Sequence, residues 1–550
     1  MTIKTKLENV LKKQIIALWP HTQHAFDVGS FEVEISYPPD SQFGEYTTNV
    51  AMRLAPIVKE SPKEIAEKVV SFLGKIPGVE KMQVAGPGYV NFFLTEASLK
   101  LQTKKMLKEK KAYGASTIGK GKRYNVEFIS ANPTGPLTLG NGRGAFMGDA
   151  LASVLKLCGY SVTREYYVND MGNQVNILAE SVLRRYWQSQ GIKIDFPDYC
   201  YKGEYVDEIA KTLYLPNYNL GKTSLEEVRD KIKGRILKKM LADIQRFVKK
   251  KLNITFNKWF SEKSLYSSGK VEKILDTFRS LDLIYDKEGA VWMRTQRFGD
   301  EKDRVLIRSN GDATYFLPDS AYHHDKFSKR KFDHVVNFIG ADHGGYVSRM
   351  YAAMKALGHE GKLDLIVFQL VRLLSKGKEV RMSKRSGAFV TFEELIDDVG
   401  LDASRYFFLM HAAGTHMDFD LDLAKKKSKE NPVYYVQYAH ARICSILRKA
   451  KGMKVSASSA KDPLHPSSRK LITKLLKWPE VIEEVAHTHA TQKLPTFTYE
   501  CATLFHEFYT NVRVIENGTI KSGAYELIQA TKIVIANALG VMGISTPEEM

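Results

Sequence analysis

The chain has 550 residues, enough for three or four domains. With 44% hydrophobic and 26% charged residues it is neither a disordered chain, nor a collagen-like one, nor a small disulfide-stapled scaffold. Lysine and arginine outnumber aspartate and glutamate by 81 to 62, a formal net charge of +19 that points to a polyanionic partner, most simply nucleic acid.

The four cysteines (Cys158, Cys200, Cys444 and Cys501) lie far apart, and no pair has zinc-ligand spacing. A reduced, cytoplasmic protein without zinc is expected. In chain order, the first twenty residues scatter lysines among apolar positions, the pattern of an amphipathic helix and not of a signal peptide. Ser61, Pro62 and Glu64 form a helix-start signal, with Ser as cap and Glu at the third position. Residues 84–94 read as a turn before a strand, 100–111 as a lysine-rich helix, and 113–122 as a Gly/Ser/Lys linker that sets the first boundary. A strand at 124–129, a helix from about 144 to 158 closed by Gly159, and a strand at 161–168 make a right-handed crossover unit. Residues 171–300 read mostly as helices inserted in the sheet, with no further strand set. One of these helices has a Ser224/Glu227 capping box and the apolar spacing Val228, Ile232, Ile236, Met240. Strand-like runs return at 305–307, 334–339 and 365–368, and the chain is helical from 401 onward apart from a loop at 451–468. The most apolar tract, 533–544, contains Asn537 and is too short to cross a bilayer, so no membrane segment is expected.

Three short segments carry candidate chemistry. The loop between the first strand and the first helix of the crossover holds Gly135, Gly140, Gly142 and Gly144. In a doubly wound sheet this loop lies at the carboxyl ends of the strands, where nucleotides bind, and the helix N-terminus offers free N–H groups to a phosphate. The pattern is neither GxGxxG nor a Walker sequence, so a plain tight turn fits it as well. The second segment, 379–387, puts Lys384 between Ser383, Ser386 and Gly387, a cationic loop able to neutralise charge on a phosphate oxygen during transfer. A solvated basic turn is the other reading. The third, 313–323, puts Tyr315 and Asp319 on one face if a helix begins there, and such a carboxylate could take a guanidinium with two hydrogen bonds. It could equally be a helix-capping Asp beside a core Tyr.

Taken together and in this order, the segments resemble the class I aminoacyl-tRNA synthetases, and within them the bacterial-type arginyl-tRNA synthetases. Thr138, Leu139, Gly140 and Asn141 stand where that family carries its "HIGH" signature, and residues 381–385 match "KMSKS". Residues 44–52, 85–91, 164–170, 299–305, 341–346 and above all 431–442 look like this family and no sister.

The resemblance implies an α/β architecture: a Rossmann-like doubly wound catalytic domain with helical insertions (120–405, insertions at about 171–300). A small α+β N-terminal domain that binds the corner of tRNA (1–115) precedes it, and an all-α anticodon-binding domain (406–550) follows. The implied reaction is ATP-dependent activation of L-arginine to arginyl-adenylate, then transfer to the terminal adenosine of tRNA(Arg). ATP with Mg2+ enters as substrate, and the family's usual form is a monomer. The implied catalytic residues are Lys384, Ser383, Asn141 and Thr138. Those for ATP are Pro136, Gly140, Gly142, Arg143, Met382 and Lys384; those for arginine are Glu127, Asn132, Tyr315 and Asp319. Tyr438, Arg442 and Arg513 are the implied tRNA contacts, because aromatic rings can stack on bases beside cations that track phosphates. Two departures stand out. The family's first signature usually has histidine at both ends, here Thr138 and Asn141, and Gly344 stands where another histidine is common.

Overall fold

The computed structural model describes residues 2–27, 29, 31–215, 223–380, 391–456 and 463–550. Its amino-terminal part begins with the amphipathic helix Ile3–Leu18, which buries Leu7, Leu11 and Ile15. Two further helices, Val50–Val58 and Pro62–Leu73, pack with a three-stranded antiparallel sheet in which Tyr89–Leu94 lies between Tyr46–Thr48 and Val79–Ala85. The Ser61 hydroxyl accepts from the N–H of Glu64 while the Glu64 carboxylate accepts from the N–H of Ser61, the reciprocal cap that the sequence pattern anticipates.

The centre of the molecule is a five-stranded parallel sheet. Its order is Leu363–Phe368, His334–Gly340, Arg123–Glu127, Ser161–Val168, Lys258–Ser261. Arg123–Glu127 is the middle strand, so the loop that follows it emerges at the centre of the carboxyl edge. The helix after that loop spans Leu139–Leu157 and begins five residues earlier than the sequence suggested. It is buried along most of its length because it lies against the sheet on one side and the helices Leu401–Leu409 and Trp478–Thr488 on the other. Gly142, Gly144 and Gly148 permit this approach: a Cβ on Gly142 would come within 2.8 Å of Phe392, and one on Gly148 within 2.3 Å of Phe128.

The insertion is less uniform than expected. The helices Asn173–Ser189, Glu204–Lys211 and Leu225–Lys250 pack together, and Ser224 caps the last of them by accepting from Glu227 N–H at 3.2 Å. The chain then returns to the main sheet as the short edge strand Lys258–Ser261, pairing with Glu165–Val168. The region is mostly helical as expected, but the expectation of no further strand set is corrected, since Ile284–Lys287 and Ala290–Met293 also pair there. Residues 305–307 are strand, but they belong to a separate antiparallel sheet (Ile284–Lys287, Ala290–Met293, Arg304–Ile307) and not to the parallel one.

The carboxyl-terminal part is built from the helices Pro432–Ala450, Pro466–Leu476, Trp478–Thr488, Lys493–Asn511 and Ser522–Val541. It also carries a small three-stranded sheet (Lys454–Ser456, Ile515–Glu516, Thr519–Lys521) beside the helices that the sequence indicated. The amino-terminal part docks directly on this helical part. Arg469 donates to the Glu45 carboxylate and to the carbonyl of Leu94, both at 2.7 Å, and the Tyr46 hydroxyl donates to the buried Glu480 at 2.9 Å. None of the helices among the described residues is long and apolar enough to cross a membrane.

Candidate active site

The loop after the middle strand is held under backbone strain. Ile129 and Ser130 both have positive φ (68° and 41°), a region that a β-branched residue such as Ile enters only when its surroundings compel it. The compulsion is visible. The Ser130 hydroxyl donates to Glu127 at 3.1 Å and accepts from the N–H of Tyr167 at 3.0 Å. Farther on, the hydroxyls of Tyr166 and Tyr205 donate to the carbonyls of Ala131 and Thr134, both at 2.9 Å. The loop is pinned at each end and in its middle.

Glu127 lies at the end of the strand, 7% exposed. It accepts from the hydroxyl of Tyr322 at 2.8 Å and from the ammonium of Lys326 at 2.6 Å. Below it the fully buried Glu165 accepts from Asn125 and Arg330 and shares the single Tyr322 hydroxyl hydrogen with Glu127. Burial alone would raise the Glu165 carboxyl, but the bonds to Arg330 and the charge of Lys326 outweigh it and hold it below its ordinary value. The charge of Glu127 is thus met inside the protein. Asn132 is exposed and donates to Gln174 at 2.7 Å.

At the N-terminus of the helix Leu139–Leu157, the two residues that replace the signature histidines bond to each other. The N–H of Thr138 donates to Asn141 Oδ1 at 2.9 Å and its hydroxyl donates to the same oxygen at 3.1 Å. Pro136 is half-buried in the turn before the cap, and Gly140 faces open space, its virtual Cβ meeting only the Thr138 hydroxyl at 3.7 Å. Gly142 instead serves the contact with Phe392. Arg143 follows in the second turn of the helix. It is fully buried, and its guanidinium donates to the carbonyls of Gln369 at 3.0 Å and Ala412 at 2.6 Å. Burial lowers its pKa to about 10. The expectation that Arg143 touches ATP is met by a side chain that clamps backbone instead. Met382, Ser383 and Lys384 lie outside the described residues. The described chain resumes at Thr391, which forms an antiparallel bridge with Thr138, and the N–H of Phe392 donates to the carbonyl of Leu137 at 2.9 Å.

Tyr315 and Asp319 do fall on one turn. Tyr315 caps the helix Phe316–Ser328, and the N–H of Asp319 donates to its carbonyl at 3.2 Å. Tyr315 is 72% exposed, and Asp319 accepts from the hydroxyl of Tyr346 at 2.5 Å. The segment 341–346 that delivers Tyr346 is a short 3-10 turn, and Gly344 in it leaves room for a side chain. Sequence reasoning missed one residue here. Glu262 follows the edge strand and is 7% exposed, and its pKa is raised to about 7 by burial and by the charges of Asp319 and Asp170. Three carboxylates from three elements therefore converge at the carboxyl edge of the sheet. In the helical part, Tyr438 stacks on Tyr434 (centroids 6.5 Å, planes 9° apart), exposed Arg442 lies 5.1 Å over the ring of Tyr509, and Arg513 is exposed.

Comparison with known families decides the lineage. The model described as "tRNA synthetases class I (R), catalytic domain" matches residues 102–409, more than half of the chain. "Arginyl tRNA synthetase N terminal domain" matches 1–94, and "DALR anticodon binding domain" matches 436–550. The chain belongs to the arginyl-tRNA synthetase family. A Bacillus pumilus protein named arginine–tRNA ligase is 43% identical with all of both chains covered. Halalkalibacterium halodurans arginine–tRNA ligase 1 is 41% identical over 99% of each. The crystal structure of a putative arginyl-tRNA synthetase from Campylobacter jejuni superposes with a TM-score of 0.75 at 31% identity, covering 83% of this chain and all of that one. Thermus thermophilus arginyl-tRNA synthetase shares the fold over the full length of both chains (TM-score 0.76, 22% identity). The family's parallel sheet, flanking N-terminal domain and helical anticodon-type domain are all present in this chain.

Proposed function

We propose that this chain is an arginine–tRNA ligase that uses ATP to activate L-arginine and passes the arginyl group to the 3′-terminal adenosine of tRNA(Arg). AMP and pyrophosphate are released. The observation that carries the reading is the carboxylate pocket. Glu262 is costly to ionise in its buried place beside Asp319 and Asp170, and a bound cation reverses that cost. A guanidinium is planar, permanently charged and suited to two-point acceptance by carboxylates. Asp319 and Glu262 would take it, with the exposed ring of Tyr315 alongside. Asn132 and Glu127 would meet the α-amino end, Glu127 as a fixed, already neutralised acceptor.

ATP, accompanied by Mg2+, would lie against the N-terminus of the helix Leu139–Leu157, where the N–H groups near Gly140 and the turn at Pro136 are available to its phosphates. The arginine carboxylate is already ionised and attacks the α-phosphate without a general base. Negative charge then builds on the departing pyrophosphate, and Lys384 and Ser383 would stabilise it. The bridge between Thr391 and Thr138 supports this assignment, because it ties the first described residue after 381–390 to the phosphate-binding turn. Tyr438, Arg442 and Arg513 would contact tRNA. A monomeric, cytoplasmic enzyme is the form we propose.

Amino-acid-dependent ATP–pyrophosphate exchange, run with tRNA(Arg) present and each of the twenty amino acids in turn, tests the reading. Exchange with arginine alone is the expected result. Exchange with another amino acid, or with none, overturns it.

A further inference from the structure

Lys326 is a fully buried ammonium to which the reaction outlined above gives no part. We propose that Lys326 is a positioning residue that occupies one oxygen of Glu127, so that the other stays open, as a charged acceptor, for the α-ammonium of arginine. This rests on the arginine placement given above. Asp319, Tyr322 and Lys326 are spaced i, i+3 and i+7 on the helix Phe316–Ser328, so they share one face. Asp319 lies toward the proposed guanidinium end. Lys326 reaches the floor, where Glu127 ends the middle strand and Asn337 stands opposite it in the neighbouring strand.

The two oxygens of Glu127 are not equivalent. Oε2 accepts from Lys326 Nζ at 2.6 Å and, at 2.8 Å, from the Tyr322 hydroxyl that it shares with Glu165. Oε1 accepts from the Ser130 hydroxyl at 3.1 Å, its one donor among the described residues. A carboxylate oxygen has room for two donors, so Oε2 is taken up and Oε1 keeps a lone pair. Lys326 is fully engaged as well. Besides Glu127 it donates to Asn337 Oδ1 at 3.2 Å, and it lies 4.2 Å from the centre of the Tyr322 ring. The nearby Arg330 is bound by Glu165, which leaves Lys326 as the cation that balances Glu127. Without Lys326 a buried carboxylate would carry an uncompensated charge, and such groups relieve that cost by taking up a proton. A neutral carboxyl is a poor acceptor for an ammonium. The sign of the effect is therefore informative. Plain repulsion between cations would make loss of Lys326 improve ammonium binding, whereas positioning through Glu127 makes it weaken.

Agmatine and butylguanidine isolate the ammonium end of the ligand. Both carry a guanidinium, neither has a carboxylate to activate, and agmatine adds the ammonium. As inhibitors of arginine-dependent ATP–pyrophosphate exchange with tRNA(Arg), agmatine is expected to bind the wild type about tenfold or more tighter than butylguanidine. In Lys326→Met this preference is expected to fall to about twofold or less, while the inhibition constant of butylguanidine stays within about twofold. General loosening of the pocket would weaken both compounds together. Lys326→Met combined with Glu127→Gln buries no unpaired charge, so it keeps the test open where Lys326→Met alone does not fold. The double variant is expected to match Glu127→Gln in both constants, because Lys326 acts through Glu127. An undiminished preference for agmatine in Lys326→Met overturns the proposal, and so does a double variant whose preference differs from that of Glu127→Gln by about tenfold. Equal binding of the two compounds by a wild-type protein that exchanges with arginine also overturns it, and leaves the arginine reading standing. Absence of exchange in the wild type overturns both.

Discussion

At the scale of single residues, the proposed contact of the buried Glu262 carboxyl with the guanidinium would make arginine binding pH-dependent. Its pKa is raised to about 7 from an ordinary 4.5, and a guanidinium binds its ionised form. The KM for arginine is therefore expected to climb as pH falls below 7, approaching tenfold per unit, while Glu262→Gln raises KM throughout and flattens the dependence. Arginine KM measured from pH 6 to 8.5 for both proteins checks this; a parallel slope in the variant contradicts it. The sign reverses for stability without ligand. A folded pKa above the unfolded one gives stability that is present in full below about pH 4.5 and lost as pH rises through 7. Arginine is thus expected to raise the unfolding temperature more at pH 8 than at pH 6. Glu262 was not legible in the sequence, because a lone glutamate after a four-residue strand has no pattern. Its significance comes from Asp319 and Asp170, which are distant in the chain. Tyr315 and Asp319 were legible, since i and i+4 on a helix already puts them together. Arg143 came with the family resemblance as an ATP contact, and its guanidinium is taken up by two backbone carbonyls that no local pattern announces.

At the scale of elements, the helix Leu139–Leu157 does most to build the site, and its glycines are its means of approach. Gly148 lies under Phe128, with a virtual Cβ only 2.3 Å from the ring. Gly148→Ala improves intrinsic helix propensity by about 1 kcal/mol, yet overpacking a core typically costs about 1–3 kcal/mol. A net fall in the unfolding temperature of the catalytic part is expected, measured by calorimetry; an increase would show that the helix can shift outward freely. The sequence pointed to a glycine-rich turn between strand and helix but placed the helix start at 144, because glycine was read as loop. Here Gly142, Gly144 and Gly148 lie inside the helix and face Phe392, Phe368 and Phe128. The edge strand Lys258–Ser261 escaped for a related reason. Four residues are too few to show alternation, and only pairing with Glu165–Val168 makes them a strand.

At the scale of the whole molecule, the amino-terminal part and the helical carboxyl-terminal part meet without passing through the active site. Glu480, nearly buried, accepts from the hydroxyls of Tyr37 and Tyr46, and burial raises its pKa. Lys477 beside it lies 3.8 Å over the ring of Tyr37, and burial lowers its pKa to about 8. Replacing Glu480 with Leu leaves the buried Tyr46 hydroxyl and the half-buried Tyr37 hydroxyl without their acceptor, at a cost of about 1–3 kcal/mol for the buried one. Faster hydrogen exchange in the helix Ile3–Leu18 and the strand Tyr46–Thr48, with the parallel sheet unchanged, is the expected signature; unchanged exchange in both would mean that the docking rests on Arg469 and the apolar contacts. The basic charge excess has a separate consequence. If tRNA is the polyanion, its KM should rise steeply and log-linearly with salt while arginine KM moves little, a contrast that steady-state charging at several salt concentrations reads directly. Composition suggested such a partner, but only the paired signature segments turned that suggestion into a particular chemistry.

The most direct test of the account is charging of tRNA(Arg) with labelled arginine by the full chain, supplied with ATP and Mg2+, beside a Lys384→Ala variant. The account predicts wild-type charging with Thr138 and Asn141 in place of both histidines, and a fall of about 100-fold or more in the variant. A wild-type protein that binds tRNA(Arg) but leaves it uncharged, or a variant that charges as fast as wild type, would contradict it.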